Sequence, residues 1–395
     1  MRAKPSLEVA DIFRLYRNRY VQKHHPPPEH LKVISAIMNC RTSVLGGHAK
    51  ICSDGCGYQD ISYNSCRNRH CPKCQFSKVT AWIQARQEEL LPVPYFHVVF
   101  TIPTSALMPI ILPNKRVFYG LLFQAVSETL KTLSLDPKWL GALTGAICVL
   151  HTWTQRLAFH PHIHCIVPSG GLSAEGDRWI TARNPDFFVP FPVLAKLFQY
   201  KLLAKLKDLN QHGKLSFFEQ DSHLSHPTEF NRFCQPLYDQ NWVAYAKPAF
   251  DGPNSVIRYL GQYVHKIAIS NWRLIALDND RVTFSYRDRA NGNIQKTSSL
   301  HALDFMKMFL QHVLPYRFSK IRSYGFLANC SKQKRLAQAR ALLPNSQCNP
   351  PEPASSNKAI DAAISNEPKP CPNCQKGVLI KIRLLPMKPG KIRPP

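Results

Sequence analysis

Apolar side chains recur at helical spacing near the start of the chain: Val9, Ile12, Phe13, Tyr16 and Tyr20 follow Ser6, a cap residue, and Pro26-Pro27-Pro28 ends the pattern. One helix and then a linker is the simple reading. A second helical segment over residues 77–90 is closed by Pro92 and Pro94, and a domain boundary is placed there. Beyond it the pattern changes. Residues 95–102, 146–157 and 163–167 are β-branched and aromatic, while residues 115–133 between them read as a helix. This interleaving predicts an α+β domain with a mainly antiparallel sheet. Residues 273–277 and 281–287, joined at Asp278-Asn279-Asp280, predict a hairpin, and residues 301–313 an amphipathic helix. Another helix, over residues 254–269, begins after Gly252-Pro253 with Val256, Leu260 and Val264 on its apolar side. After about residue 341 the chain turns Pro-, Ser- and Asn-rich, which predicts a poorly ordered, basic tail. The expected segments are thus 1–92, 93–340 and 341–395.

Charge narrows the class of partner. Fifty-one Lys plus Arg against 25 Asp plus Glu leave a formal +26, spread along the whole length, so a polyanion, and DNA above all, is expected. No apolar run approaches the roughly 20 residues of a spanning helix, and no signal-peptide core opens the chain, so a cytoplasmic location without membrane contact is expected.

Thirteen cysteines in a reducing compartment favour metal ligation over disulfides, and six of them fall within residues 40–74. Cys52-x3-Cys56 and Cys71-x2-Cys74 are two short-spaced pairs across a 14-residue loop, close to a four-thiolate zinc pattern. Cys40, His48, Cys66 and His70 interleave with them and form a candidate second zinc set; the alternative is that Cys40 and His48 are structural. Arg67, Arg69 and Lys73 stand beside these ligands and are candidates for contact with the phosphate backbone. Cys371-Pro372-Asn373-Cys374 has no second pair nearby in sequence and is assigned no metal.

His162 and His164 flank one apolar residue on an expected strand, so their imidazoles share a face and can grip one divalent cation. On the neighbouring strand His151, Trp153, Gln155 and Leu157 alternate to one side, which makes Gln155 the candidate third ligand, with His160 behind it. Magnesium or manganese suits such a set, with water completing the shell. Tyr259 and Tyr263, one helical turn apart, are ordinarily packing aromatics. Beside a metal site, with Arg258, His265 and Lys266 in the same segment, they become candidate nucleophiles, and Arg258 and Lys266 candidate DNA contacts. Metal and paired phenols together point to a nuclease that attacks DNA with tyrosine.

The run Cys40-Arg41-Thr42 to Leu45-Gly46-Gly47-His48, followed by Tyr63-Asn64-Ser65-Cys66-Arg67-Asn68-Arg69-His70-Cys71-Pro72-Lys73-Cys74-Gln75, resembles the zinc-binding region of rolling-circle transposases of the insertion-sequence ninety-one type. His151-Thr152-Trp153, the segment from His160 to Gly171, Tyr259-Leu260-Gly261-Gln262-Tyr263 and Tyr324-Gly325-Phe326-Leu327-Ala328-Asn329 resemble that family's catalytic region. The resemblance covers nearly the whole chain. It implies an N-terminal zinc-binding module followed by an antiparallel-sheet nuclease domain, with His162 and His164 as metal ligands and Tyr259 and Tyr263 as nucleophiles. The reaction implied is nicking of single-stranded transposon ends through a 5′-phosphotyrosine link and strand transfer. A replication initiator of the same chemistry and a non-catalytic zinc-dependent regulator are the alternative readings. The chain has no Gly-x4-Gly-Lys-Ser/Thr motif, so unwinding is expected from host machinery or supercoiling.

Overall fold

The structure is a computed structural model that describes residues 5–74, 89–184, 189–240, 242–248, 268–288, 291–343 and 370–386. The helices expected over 77–90 and 254–269 lie almost entirely outside the described residues.

In chain order the elements are α1 (Val9–His24), α2 (Pro28–Asn39), β1 (Gly47–Cys52), β2 (Gln59–Tyr63), β3 (Tyr95–Thr101), α3 (Thr104–Ile111), α4 (Lys115–Leu135), β4 (Gly145–Trp153), β5 (Phe159–Pro168), β6 (Gly170–Leu172) and β7 (Trp179–Thr181). There follow α5 (Phe191–Gln211), α6 (Pro227–Asp239), β8 (Ala244–Pro248), β9 (Leu274–Asp278), β10 (Arg281–Asp288), β11 (Ile294–His301), α7 (Ala302–Leu310), β12 (Ile321–Gly325), α8 (Lys332–Leu342) and β13 (Leu379–Leu385).

The expected α+β architecture is present. A five-stranded sheet runs β12-β4-β5-β3-β8, and every pairing in it is antiparallel. Because side chains alternate, each strand divides its residues between two faces. Phe96, Val98 and Phe100, Cys148 and Leu150, and Ile163, Cys165 and Val167 join the buried cluster formed with α4 and α5. The opposite face is apolar at one end, where Tyr95, Ile147, Val149 and Ile166 cluster with Leu336 and Ala339 of α8. Its other end carries histidines.

Five helices, α2, α3, α5, α6 and α8, lie outside the sequence reading. Pro27 and Pro28 do not open a linker: Pro27 caps α2 and Pro28 starts it, where the missing N–H costs nothing because the first N–H groups of a helix have no intrahelical partner. α5 was not anticipated, although Leu194, Phe198, Leu202 and Leu206 recur every four residues and are all buried.

α1 begins at Val9 under Glu8 rather than Ser6, and its apolar stripe is buried as the spacing predicts. That stripe does not close an independent N-terminal core. It shares one cluster with Leu274, Phe284, Phe305 and Phe309, and Phe13 meets Phe309 edge-on with ring centroids 5.4 Å apart. The β9–β10 hairpin is held to α1 by its turn: Asn279 and Asp280 take φ of 49° and 60°, as a two-residue turn of that hand requires. Asp280 then accepts from Tyr16 Oη at 2.7 Å and pairs with Arg19 at 2.9 Å.

Gly325, which ends β12, has φ of 62°, and a Cβ there would lie 1.8 Å from the Thr144 carbonyl oxygen. Only glycine permits this approach.

His312 ties the cluster around α1 to the sheet. Its Nε2–H donates to the Leu157 carbonyl at 3.0 Å, while Nδ1 is 3.2 Å from Thr152 Oγ1. Burial pushes its pKa down to about 3, so the folded protein holds it neutral. The unfolded chain takes up this proton as pH falls below about 6.5, and the folded one does not until about 3. Stability should therefore fall with pH across that window. The Tm of His312→Gln should decline less steeply between pH 6 and 4 than that of the unaltered protein; equal slopes would rule His312 out as a contributor.

Candidate metal centre and cysteine clusters

β5 occupies the middle of the sheet, so a side chain on it is flanked from both sides. His162 and His164 project from the same face, as their spacing predicts. On β4 the register places His151 directly opposite His162, and His164 opposite Val149. The three imidazoles converge, with ring centroids 5.4 Å apart for His151–His162, 4.5 Å for His151–His164 and 4.9 Å for His162–His164. One nitrogen from each lies within 4.8 Å of the others. Two nitrogens on one ion, each bonded at about 2.1 Å, are at most about 4.2 Å apart, so small ring rotations suffice. His151 and His164 are buried and His162 is partly open, which gives the cluster a wet side.

A layer of hydrogen bonds orients these rings. His162 Nδ1 donates to the His160 carbonyl at 2.7 Å, which sets the tautomer whose Nε2 carries the lone pair. His164 Nδ1 is 2.8 Å from Nε2 of His97, a buried residue of β3, and the two rings lie edge to edge and nearly coplanar, with an interplanar angle of 2°. With its proton on Nδ1, His164 donates to His97 and turns Nε2 toward the other two histidines. Trp153, two residues along β4, stacks on His151 with centroids 5.0 Å apart.

The third side chain that the described structure brings to the pair is His151, whereas the sequence offered Gln155 as the candidate third ligand. β4 ends at Trp153, and Gln155 sits in the turn to β5, where its carbonyl accepts from the Arg273 guanidinium. The strand was expected to run to residue 157, four residues beyond its observed end. His160 is turned aside toward Thr104, with Nδ1 3.4 Å from Oγ1. His151 was visible in the alternation of β4 itself. His97 was legible only as a member of a strand, since no spacing tied it to the pair.

The cysteines also sort differently from the expectation. Cys40, Cys66, Cys71 and Cys74 come together, all buried, with Sγ separations of 3.3 Å for Cys40–Cys74 and 3.5 Å for Cys66–Cys74. The four thiols hydrogen-bond among themselves, which holds Cys74 below its ordinary pKa and pushes Cys66 and Cys71 above theirs, so a single negative charge in the cluster settles on Cys74. Cys52 and Cys56 instead meet Cys371 and Cys374, the pair expected to stand alone. The hairpin of β1 and β2 explains the exchange. Cys40 and Cys66 flank its open end, where Asn64 N–H bonds to the Gly46 carbonyl, and Cys52 and Cys56 lie at its turn. Five or six residues at about 3.3 Å each separate the ends by roughly 16 Å, so one ion cannot bridge them.

Residues 145–335, from β4 into α8, match the family described as "Putative transposase", and residues 12–102 match the family described as "Transposase zinc-binding domain". The chain is 43% identical over 97% of its length to "Putative transposase y4qJ" of Sinorhizobium fredii, covering 96% of that protein. The chain belongs to the transposases of the insertion-sequence ninety-one type. It is also 27% identical, over 76% of its length and 70% of the relative, to "Transposase for insertion sequence element IS801" of Pseudomonas savastanoi pv. phaseolicola. No solved structure matches it. Among the described residues no helix is long and apolar enough to cross a membrane.

In this transposase the remaining candidate residues fall into two groups. Tyr259, Tyr263, Arg258 and Lys266 lie outside the described residues. Most of the others are engaged within the fold. Lys73 pairs with Glu8 at 2.5 Å, and Arg69 Nη1 donates to the Phe318 carbonyl at 2.6 Å, so both fasten the cysteine loop to the body. Arg67 is exposed, on a left-handed turn with φ of 54° between Cys66 and Cys71. His70 accepts from the Leu314 N–H at 3.4 Å, and burial holds its pKa well below the ordinary value. His48 lies on β1 opposite Ser62 and Leu384, in neither cysteine group. The candidate second zinc set of two sulfurs and two nitrogens is therefore not assembled.

His151→Ala should weaken Mn²⁺ binding to the full chain as severely as His162→Ala, and His97→Ala should weaken it about 10- to 100-fold, as measured by titration calorimetry. Gln155→Ala should leave the affinity within about twofold. A large loss in Gln155→Ala with little in His151→Ala would reverse the ligand assignment.

Proposed function

We propose that this transposase nicks single-stranded DNA at transposon ends and carries the cut strand on tyrosine, and that His151, His162 and His164 hold the divalent cation that the reaction requires. The convergence of three oriented imidazoles on the middle strands of the sheet is the observation that supports this reading. Three nitrogens favour Mn²⁺ over Mg²⁺, because imidazole is a softer donor than water or carboxylate and Mg²⁺ prefers oxygen. When bound, the cation supplies Lewis-acid polarisation of the scissile phosphate.

The chain's own residues do the rest. His97 orients the ring of His164, the His160 carbonyl orients that of His162, and Trp153 covers one side of His151. The phenolic oxygen of Tyr259 or Tyr263 attacks phosphorus in line, a Tyr–O–P bond forms, and the bond from phosphorus to the 3′-oxygen breaks. The departing oxygen takes a proton and becomes a 3′-hydroxyl, while the tyrosine has given one up. The phosphodiester's energy is kept in the link, so rejoining to a new 3′-hydroxyl needs no nucleotide triphosphate. Two phenols let a second strand be cut before the first link is released. The 51 basic residues supply the attraction to the DNA backbone, with Arg67 beside the cysteine loop among the candidates. The proposed working parts are a zinc-binding region within residues 1–92, a catalytic region over 93–340 and a C-terminal segment from 341.

The test is incubation of the purified chain with labelled single-stranded transposon-end DNA and Mn²⁺, followed by denaturing electrophoresis. A protein–DNA adduct that survives boiling in detergent is expected. The Tyr259→Phe/Tyr263→Phe double variant should form none, and at least one single variant should retain it. His162→Ala and His164→Ala should lose nicking and still bind duplex ends, because phosphate contacts dominate affinity. An adduct undiminished in the double variant would overturn the tyrosine assignment, and normal nicking by both histidine variants would overturn the metal assignment.

A further inference from the structure

The matched zinc-binding region ends at residue 102 and contains all four cysteines of the first cluster, but only half of the second. Cys52 and Cys56 close the β1–β2 turn. Their partners arrive from 315 to 322 residues further along: Cys56 Sγ lies 3.6 Å from Cys371 Sγ, and Cys52 Sγ 3.5 Å from Cys374 Sγ. Four thiolates around Zn²⁺ at about 2.3 Å stand about 3.8 Å apart along each edge of the tetrahedron, so these separations are close to those of a loaded site.

The surroundings suit charged sulfur. Asp54 N–H reaches Cys52 Sγ at 3.4 Å, Gly377 N–H reaches Cys374 Sγ at 3.4 Å, and Asn373 Nδ2 lies 3.7 Å from Cys56 Sγ. Each donor stabilises a thiolate over a thiol. Gly377 is needed for the approach of the two loops, since a Cβ there would lie 2.6 Å from Cys52 Sγ and 2.8 Å from the Asp54 nitrogen. Backbone bonds lock the loops together, with Ser53 N–H to the Val378 carbonyl at 2.9 Å and Val378 N–H to Ser53 Oγ at 2.9 Å. β13 then continues from the site and pairs with β1 in antiparallel register from Cys52↔Leu379 to Gly47↔Leu385. The two ends of the chain thus form one three-stranded sheet, in the order β13-β1-β2.

We propose that Cys52, Cys56, Cys371 and Cys374 bind a second structural Zn²⁺ that clips the C-terminal segment onto the N-terminal zinc-binding region. The first ion, on Cys40, Cys66, Cys71 and Cys74, is held entirely by the N-terminal sequence. The second forms only when the C-terminal segment is present. The zinc-binding region is therefore completed by the end of the chain, and a truncated product lacks both the ion and an edge strand of its sheet.

Zinc content by elemental analysis and cysteine alkylation mapped by mass spectrometry test this on the purified full chain. Cys371→Ser/Cys374→Ser and Cys52→Ser/Cys56→Ser should each carry one zinc fewer than the unaltered chain. In the unaltered chain Cys52, Cys56, Cys371 and Cys374 should resist N-ethylmaleimide until a strong chelator is added and then react together. Cys330, which is exposed, should react at once and serves as the internal standard. An unchanged zinc content in a folded Cys371→Ser/Cys374→Ser variant would overturn the proposal. So would labelling of Cys371 and Cys374 at the Cys330 rate without chelator, or labelling that needs a reductant instead. The alkylation pattern decides the matter even if both variants fail to fold.

Discussion

The pairing of β4 with β5 is the constraint on which the histidine cluster depends. Its register sets His151 against His162 and Cys148 against Cys165. The same alternation therefore places histidines on one face and the apolar core on the other. A slip of one residue would carry every imidazole into the core and every core residue out of it. The register is held from the core side by Leu150, Ile163 and Cys165, all buried against the helices, and at the turn by Arg273 and His312, which bond the carbonyls of Gln155 and Leu157. Burial of the apolar face thus fixes the geometry of the polar one.

That logic also says what the sequence made legible. Local patterns with one strong period transferred directly to the structure: the stripe of α1, the strand of residues 95–101, the Asn279-Asp280 turn and the His162–His164 pair. Long-range partnerships did not. His97 joins the cluster because β3 is the neighbour of β5, a fact of strand order that no spacing encodes. Gln155 falls beyond β4, in a turn that tertiary bonds to its own carbonyl and that of Leu157 hold in place. The cysteines were grouped by nearness in the chain, whereas the rigid hairpin of β1 and β2 holds its two ends too far apart to share an ion. The resemblance to a transposase family correctly named the chain's class, but it did not specify which cysteines meet.

The two regions expected to follow one another in sequence are interlocked in space. α1 contributes its apolar stripe to a cluster completed by residues 268–313, and β13 returns to the sheet of β1 and β2. Arg69 and Lys73 hold the cysteine loop against this body instead of reaching outward. Any displacement of the zinc-binding region would therefore strain contacts that run through His70 and His312 to the turn above the histidine cluster.

Electron spin-echo spectroscopy of the Mn²⁺-loaded full chain measures the ligand set directly, because nitrogen nuclei bonded to the ion modulate the echo. Three imidazole nitrogens are expected, falling to two in His151→Ala, with no change in Gln155→Ala. A spectrum with two nitrogens that His151→Ala leaves unaltered would contradict the assignment of this histidine, and one with none would contradict the metal centre itself.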